Sequence, residues 1–491
     1  MAGDLLLVID EGTTSTRAML FGADGACVAM AQRELAQHVP RAGWLEHDAE
    51  EIWAESLACA QAAAAQGGGA DRIAAIGITN QRETIAFWSR RTGRALAPAI
   101  VWQDRRTAAA CDRLREAGHE PMVQAKTGLL LDPYFSASKI AWALDHWPQL
   151  GEAGEDLCVG TIESWLVFRL TGGLHISDAT NASRTALMDI GRGVWDDDLL
   201  DLWGVKRGTL PEIVDCAGRF GETLPEHFGR PIAVAGLAGD QQAASIGQAC
   251  LSPGDTKATY GTGAFVLTNS GEELRTSRNR LLSTIAWQLG SVRSYALEGS
   301  VFVAGSLIKW LRDSLGLIHA AAESETLARS IPDSGGVQIV PAHSGLGAPY
   351  WRPHARAAIS GLSFATGRAH LVRAALEAMA HQTHDLMQAF AADGAPWRLL
   401  RIDGGMASND WLAQDLADML VLDVERPDFV ETTALGAAML AATGCGLYRG
   451  LGEAAAMRGA VRRFAPAMAD AARRDRLDGW RRAVDALLAS R

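Results

Sequence analysis

Five apolar residues in a row, Leu5 to Ile9, are stopped by Asp10 and Glu11. A run this short cannot serve as a signal-peptide core or a membrane span, and predicts a buried strand. The turn-like Glu11-Gly12-Thr13-Thr14-Ser15 leads into a second strand, Arg17–Phe21. Ala23-Asp24-Gly25 then supplies a hairpin turn into a third, 26–32. A helix follows, with Asp48 as N-cap, Glu51 placed for a capping box, and Ile52, Trp53 and Leu57 opening an apolar face. Arg72–Thr79 is the next strand.

This β-β-β-α-β order, meander first and crossover later, is the pattern of a ribonuclease-H-like α/β unit. A second series starts near residue 250: strand Asp255–Tyr260, turn Gly261-Thr262-Gly263, strand Ala264–Asn269. Each half therefore opens with strand, Gly/Thr turn and strand, a weak internal repeat. At 491 residues the chain exceeds what one core supports. The expectation is two ribonuclease-H-like domains, the actin-like ATPase arrangement, spanning 1–248 and 249–491 with a catalytic cleft between them. The Ala/Gly-rich Ala62–Ala70 marks a helix end and loop.

Composition narrows the function classes. Apolar residues at 48% and charged residues at 21% describe an ordinary globular protein. A formal charge of −11 excludes a nucleic-acid partner, which needs a basic face, but permits a nucleotide bound at a local positive or metal-bridged site. Seven scattered cysteines without a C-x-x-C pair indicate neither a disulfide framework nor a zinc site, and point to a reducing cytoplasm.

Five segments carry candidate chemistry. In the first Gly/Thr turn, backbone N–H groups and the Thr13 and Thr14 hydroxyls suit phosphate oxygens, and Asp10 suits Mg²⁺ through water. In Gly236-Leu-Ala-Gly239-Asp240-Gln241-Gln242, strand Ile232–Ala235 runs into a Gly-rich bend with Asp240 at a helix start. Asp240 reads either as an N-cap or as a general base for a substrate hydroxyl, since an ionised carboxylate accepts that proton during transfer. Arg82-Glu83, directly after a strand, offers a donor fork and an acceptor to adjacent hydroxyls, or is a surface ion pair. Trp102 is an apolar wall or plain core. The strand Leu400–Asp403 enters Gly404-Gly405, where backbone approaches a flat ring closely, and a helix 410–420 follows.

Together these pieces resemble the glycerol kinases of the FGGY carbohydrate kinase family, essentially end to end. Tyr134-Phe-Ser-Ala-Ser-Lys139-Ile-Ala-Trp142 is similar to the first family signature, and Ala358-Ile-Ser-Gly361-Leu362 with His370-Leu371 and Ala374 to Glu377 to the second. Asn80 to Thr84, Trp102 to Thr107, Asp132 to Ser136 and Thr180 to Thr185 are similar to blocks that select glycerol. The resemblance implies that Arg82, Glu83, Tyr134, Asp240 and Gln241 bind glycerol hydroxyls while Trp102 and Phe265 face its carbons. It further implies Asp240 as catalytic base and Asp10 as the Mg²⁺ partner. Gly12, Thr13, Thr14, Ser15, Arg17, Thr262, Gly305, Lys309, Gly405 and Asn409 would surround ATP or ADP. A homo-oligomer, dimer or tetramer, without membrane insertion is also expected. Two positions depart from the family pattern. Glu11 stands where Gln is usual, and its charge would repel phosphate unless it points away or joins a metal–water network. Lys309 stands where Gln is frequent. A loop that binds fructose 1,6-bisphosphate in regulated relatives is missing between Phe220 and Ile232. The implied reaction is ATP-dependent phosphorylation of glycerol. The rivals are a xylulose or gluconate kinase and a non-enzymatic actin-like ATP switch.

Overall fold

The computed structural model describes residues 3–489 except Ser291, Phe302, Ser344, Trp351 and Pro353. Its first sheet is built from β1 (Leu5–Glu11), β2 (Ser15–Gly22), β3 (Cys27–Glu34), β4 (Ile73–Asn80), β5 (Ala217–Glu222) and β6 (Ala233–Gly239), in the order β3-β2-β1-β4-β6-β5. β1, β2 and β3 form the antiparallel meander, while β4 pairs parallel to β1 and β6 parallel to β4. β1 is apolar at consecutive positions because both faces are covered. Helix α1 (Ala49–Gln66) packs on the Leu5, Leu7, Ile9 and Ile78 side. The Leu6 and Val8 side meets Ile246 of α2 (Asp240–Gly247) and a helix from the far end of the chain. A smaller four-stranded sheet, of residues 46–47, 95–100, 85–89 and 157–161, extends this half and carries the loops of Trp102 and Tyr134.

The second large sheet repeats the plan. It contains β7 (Asp255–Tyr260), β8 (Ala264–Gly271), β9 (Leu282–Leu289), β10 (Val292–Val301), β11 (Leu399–Asp403), β12 (Val424–Pro427) and β13 (Val461–Phe464), ordered β9-β10-β8-β7-β11-β12-β13. Its meander β7-β8-β10 is antiparallel, and β11 and β12 continue it in parallel. Strands β10-β8-β7-β11-β12 thus match β3-β2-β1-β4-β6 in order and direction. Helices α3 (Gly305–Asp313), α4 (Arg368–Ala392) and α5 (Asp410–Leu420) pack on this half around Leu307, Leu376 and Leu416. Among the described residues no helix is long and apolar enough to cross a membrane.

Helix α6 (Thr432–Gly444) follows β12 yet lies against β1, β4 and β6 and against α2. It is apolar on nearly all sides, as a helix enclosed by protein must be. Its crossing with α2 is so close that a Cβ on Gly436 would stand 1.8 Å from the Ala243 carbonyl oxygen, and one on Gly247 would stand 2.0 Å from that of Thr432.

Several local expectations change. Asp48 caps α1 by accepting from Glu50 N at 2.9 Å, but Glu51 closes no capping box; its Oε1 accepts from Ala36 N at 3.2 Å. The third strand starts at Cys27, one residue late. The Gly-rich stretch does not end the strand: β6 runs to Gly239, with its register to β4 shifting between Val234 and Gly236. The glycine serves packing: a Cβ on Gly236 would lie 2.4 Å from Ala441 N of α6. Gly239 takes the N-cap position, so Asp240 is the first helical residue and is not the cap.

Gly436→Ala is expected to cost about 3 kcal/mol, because backbone on the facing helix cannot yield to the new methyl. Chemical denaturation measures this, and parental stability in the variant would show the crossing to be more compliant than drawn.

Candidate active site

β4 ends at Asn80, and the chain turns sharply through Arg82 and Glu83. Glu83 has φ 62°, a left-handed conformation rare for a residue with a side chain, and Thr84 N donates to Arg82 O at 2.8 Å. The strained turn separates two adjacent charged side chains, which pair with others and not with each other. Arg82 Nη1 donates to Glu298 Oε2 at 2.6 Å, and its Nε lies 3.1 Å from Asp240 Oδ1. Arg82 Nη2 reaches the Tyr134 hydroxyl at 3.5 Å. Glu83 Oε1 accepts from Arg184 Nε at 2.6 Å, and Arg184 Nη2 donates to Glu298 Oε1 at 3.1 Å. The result is a row of alternating charge: Glu83, Arg184, Glu298, Arg82, Asp240. All but Asp240 are buried. The surface ion-pair alternative for Arg82-Glu83 is therefore excluded.

Glu298 comes from β10 of the second sheet, whereas both arginines belong to the first half. Burial alone would push its carboxyl up, but the Arg184 and Arg82 guanidiniums, with Lys257, hold it at about 2. Glu83 has Arg184 as its close partner, and there burial prevails and raises it. Burial also pushes the Tyr134 hydroxyl up, with Glu83 adding to the effect.

Asp240 projects from the first turn of α2, its side chain 35% exposed to the cleft. Arg82 Nε and the Gln241 amide, the latter at 2.6 Å, both meet Oδ1. Oδ2 has no partner among the described residues. Gly239 N donates to Thr180 Oγ1 at 2.9 Å, and Thr180 is itself held by the buried Asp178. These bonds fix the start of the helix. Trp102 stands edge-on to Tyr134, ring centroids 5.5 Å apart, and its Nε1 donates to Thr13 Oγ1 at 2.9 Å. That bond joins the expected polyol wall to the first Gly/Thr turn. Phe265 of β8 pairs with Ser300 of β10, and alternation places it on the sheet face that also bears Glu298 and Lys257.

The first turn is closed by Gly12 N donating to Ser15 O at 3.0 Å. Thr14 is exposed, and Ser15 Oγ accepts from Gln32 Nε2 at 3.2 Å. Arg17, opposite Asp10 across β1 and β2, is bonded at 2.6 Å to Glu431 just before α6. Burial pushes the Asp10 carboxyl up to about 7; Arg17 opposes this, and the nearby Asp240 and Glu431 charges reinforce it. Glu11 is fully buried and receives Gln81 Nε2 at 3.2 and 3.3 Å. Burial raises its carboxyl well above the usual range, which disfavours a charge on it, and its side chain is turned to Gln81.

The second turn, at Thr262, rests on the start of α3. Ala304 N and Ser306 N each donate to Thr262 O at 3.0 Å, and Gly305 N donates to Gly261 O at 2.9 Å. A Cβ on Gly305 would come within 2.5 Å of the Gly261 oxygen. Asn409 caps α5 through Leu412 N at 2.9 Å and donates to Ser324 at 3.2 Å. Gly405 is exposed, with open space where a Cβ would stand. Lys309 is exposed on α3, near Asp313.

Four charged residues of this cleft escaped the reading of the chain: Arg184, Glu298, Lys257 and Asp403. Arg184 and Asp403 sit inside blocks already singled out, 180–185 and 400–409. Glu298 and Lys257 had a local signal only as a charged residue in mid-strand.

The models of the FGGY family of carbohydrate kinases match this chain at residues 5–247 for the N-terminal domain and 256–445 for the C-terminal domain. The chain belongs to the FGGY family of carbohydrate kinases. Within it, similarity is high to the glycerol kinase of Methylobacterium nodulans, 54% identical over 99% of this chain and 98% of that protein. The glycerol kinase of Gluconobacter oxydans is 55% identical over 98% of this chain and 95% of its own length. Among solved structures, the glycerol kinase of Plasmodium falciparum with ADP superposes with a TM-score of 0.95 at 35% identity, covering 99% of both chains. The family's two-domain α/β fold is thus the fold of this chain.

Glu298→Gln removes the one negative partner shared by two buried guanidiniums. Because the folded carboxyl sits near 2 rather than its ordinary 4.5, its contribution is complete above pH ~4.5 and fades as pH falls toward 2. The variant should lose on the order of 3 kcal/mol at pH 7, and the gap to the parent should narrow by pH 4. Urea unfolding at pH 7, 5 and 4 reads both effects; a gap independent of pH would contradict the assignment.

Proposed function

We infer that this protein transfers the γ-phosphoryl group of ATP to glycerol, giving sn-glycerol 3-phosphate and ADP. The observation that carries the reading is the similarity over 98–99% of the chain to glycerol kinases. The geometry supports it independently. A three-carbon polyol offers little apolar area but three hydroxyls. A buried row of alternating donors and acceptors walled by Trp102 and Tyr134 matches that chemistry, and penalises analogues that leave a buried group unpaired.

In this reading Arg82, Glu83, Tyr134, Asp240 and Gln241 hold the hydroxyls, and Trp102 and Phe265 face the carbons. Asp240 is the general base. Its Oδ1 is engaged by Arg82 and the Gln241 amide, which orients the carboxylate and leaves Oδ2 to accept the proton of the attacking hydroxyl. Gly12, Thr13, Thr14, Ser15 and Arg17 on one side, and Thr262, Gly305, Lys309, Gly405 and Asn409 on the other, surround the nucleotide. In-line transfer between the two depends on positioning and charge stabilisation. Division into domains at 1–248 and 249–491 belongs to the same reading, supported by the repeated strand order and qualified by the return of α6 to the first half.

Mg²⁺ fits this site. Among the described residues no cluster of three or more His, Cys, Asp or Glu is arranged for a metal. A Mg²⁺ ion bound with nucleotide phosphates needs only one or two carboxylates plus water. Asp10, with Asp240 and Glu431 close enough to raise its carboxyl, supplies hard oxygen donors where a cation relieves their mutual repulsion. Bound there, the ion would neutralise charge on the phosphate oxygens.

Asp240→Asn should lower kcat by several orders of magnitude while glycerol still binds, read by coupled ADP release and by calorimetric titration with glycerol. In the same assay the parent should prefer glycerol over xylulose and gluconate in kcat/KM; no preference would return the substrate to its rivals. Because the Asp10 carboxyl releases its proton only near pH 7, the Mg²⁺ concentration for half-maximal rate should rise as pH falls from 8 to 6. In Asp10→Asn that dependence should flatten.

A further inference from the structure

Lys257 lies in β7, fully buried, and has no part in the reaction as described so far. Its Nζ donates to Gln241 Oε1 of α2, a bond from the second sheet to the first half. The charged groups facing it come from every neighbouring element: Asp240 of α2, Asp403 of β11, Glu298 of β10 and Arg82 after β4. An ammonium removed from water is costly unless such carboxylates surround it. Burial nonetheless prevails and lowers its affinity for the proton.

The contact has a directional consequence. An ammonium has three donors and no acceptor, whereas an amide has one of each kind of end. Only the Gln241 oxygen can face Lys257; the flipped amide would set NH₂ against NH₃⁺. Gln241 Nε2, which has no protein partner among the described residues, is therefore turned away from Lys257. Gln241 adjoins Asp240 in the chain, and Asp240 Oδ2 is likewise unpaired.

We propose that Lys257 is a positioning residue that sets the polarity of the polyol site, by holding the Gln241 oxygen so that Gln241 meets the substrate only as a hydrogen-bond donor. A hydroxyl that accepts from Gln241 Nε2 must direct its own proton elsewhere, and in the reading above its acceptor is Asp240 Oδ2. The proposal rests on the glycerol-phosphorylating reading and adds to it the residue that orients the reacting hydroxyl. Without Lys257 the amide is free to flip and compete with Asp240 for the proton. Substrate then still binds, but in a less productive orientation.

The test is a double-mutant cycle in the full-length protein with glycerol as substrate, using Lys257→Met, Gln241→Ala and the pair, beside the parent. Lys257→Met should lower kcat by about 10- to 100-fold with KM changed less than about threefold, a split that general loosening of the fold does not produce. In the Gln241→Ala background the same change should cost less than about twofold more, because its target is gone. Parental kinetics in Lys257→Met, or losses that multiply in the pair, overturn the proposal. Should Lys257→Met fail to fold, Gln241→Glu decides. It keeps an oxygen for Lys257 but removes the NH₂ donor, so kcat should fall tenfold or more with unchanged melting temperature, and parental turnover overturns the proposal. A parent that does not phosphorylate glycerol would instead refute the function on which this rests.

Discussion

One buried carboxylate ties the two halves of this molecule together. Glu298 reaches from the second sheet to two guanidiniums of the first, Arg82 at 2.6 Å and Arg184 at 3.1 Å. Without it Arg184 would keep only Glu83 and Arg82 only the partly exposed Asp240, leaving two buried guanidiniums short of a carboxylate between them, which a protein interior tolerates poorly. Their positions are therefore set by Glu298. Arg82 in turn sets Asp240, and Arg184 sets Glu83. The buried charge row of the first half is thus organised by a residue of the second. This suits a reaction in which substrate and nucleotide must meet across the same cleft.

The scaffold beneath that interaction explains why it can be held so closely. Both large sheets use the same five-strand order, and the parallel strands of each end at the cleft, where Asp10, Arg82, Asp240, Thr262 and Asp403 lie. Helix α6 leaves the second sheet and packs on the first, against α2, with glycine at the point of closest approach. The helix that starts at Asp240 is therefore buttressed by a segment nearly two hundred residues further along the chain. Strain is concentrated where it is useful: Glu83 takes a left-handed conformation so that neighbouring Arg82 and Glu83 serve different partners.

Electrostatics divides the carboxylates of the cleft by environment. Glu298, flanked by cations, stays ionised far below its ordinary range. Burial against a glutamine raises the Glu11 carboxyl well above its ordinary range, which disfavours a second charge beside Asp10. Burial raises Asp10 too, to about 7, among other carboxylates. Each shift follows from what surrounds the group.

Element order, the two Gly/Thr turns, the helix beginning at Asp240 and the place of Arg82-Glu83 at a strand end were legible in the chain because they depend on local periodicity and turn chemistry. The family resemblance supplied the substrate, which no spacing argument reached. Smaller readings changed where packing overrode local preference: Gly236 stays within the strand, where it accommodates a crossing helix, and Glu51 bonds a distant amide and closes no capping box. What only the tertiary structure decided is the partnership of charges. Arg82 and Glu298 are 216 positions apart, and nothing local in either segment selects the other. The pairing arises from strand register and from two sheets closing on one cleft. Those same long-range contacts decide that Glu11 is buried against Gln81 and that Lys257 faces Gln241.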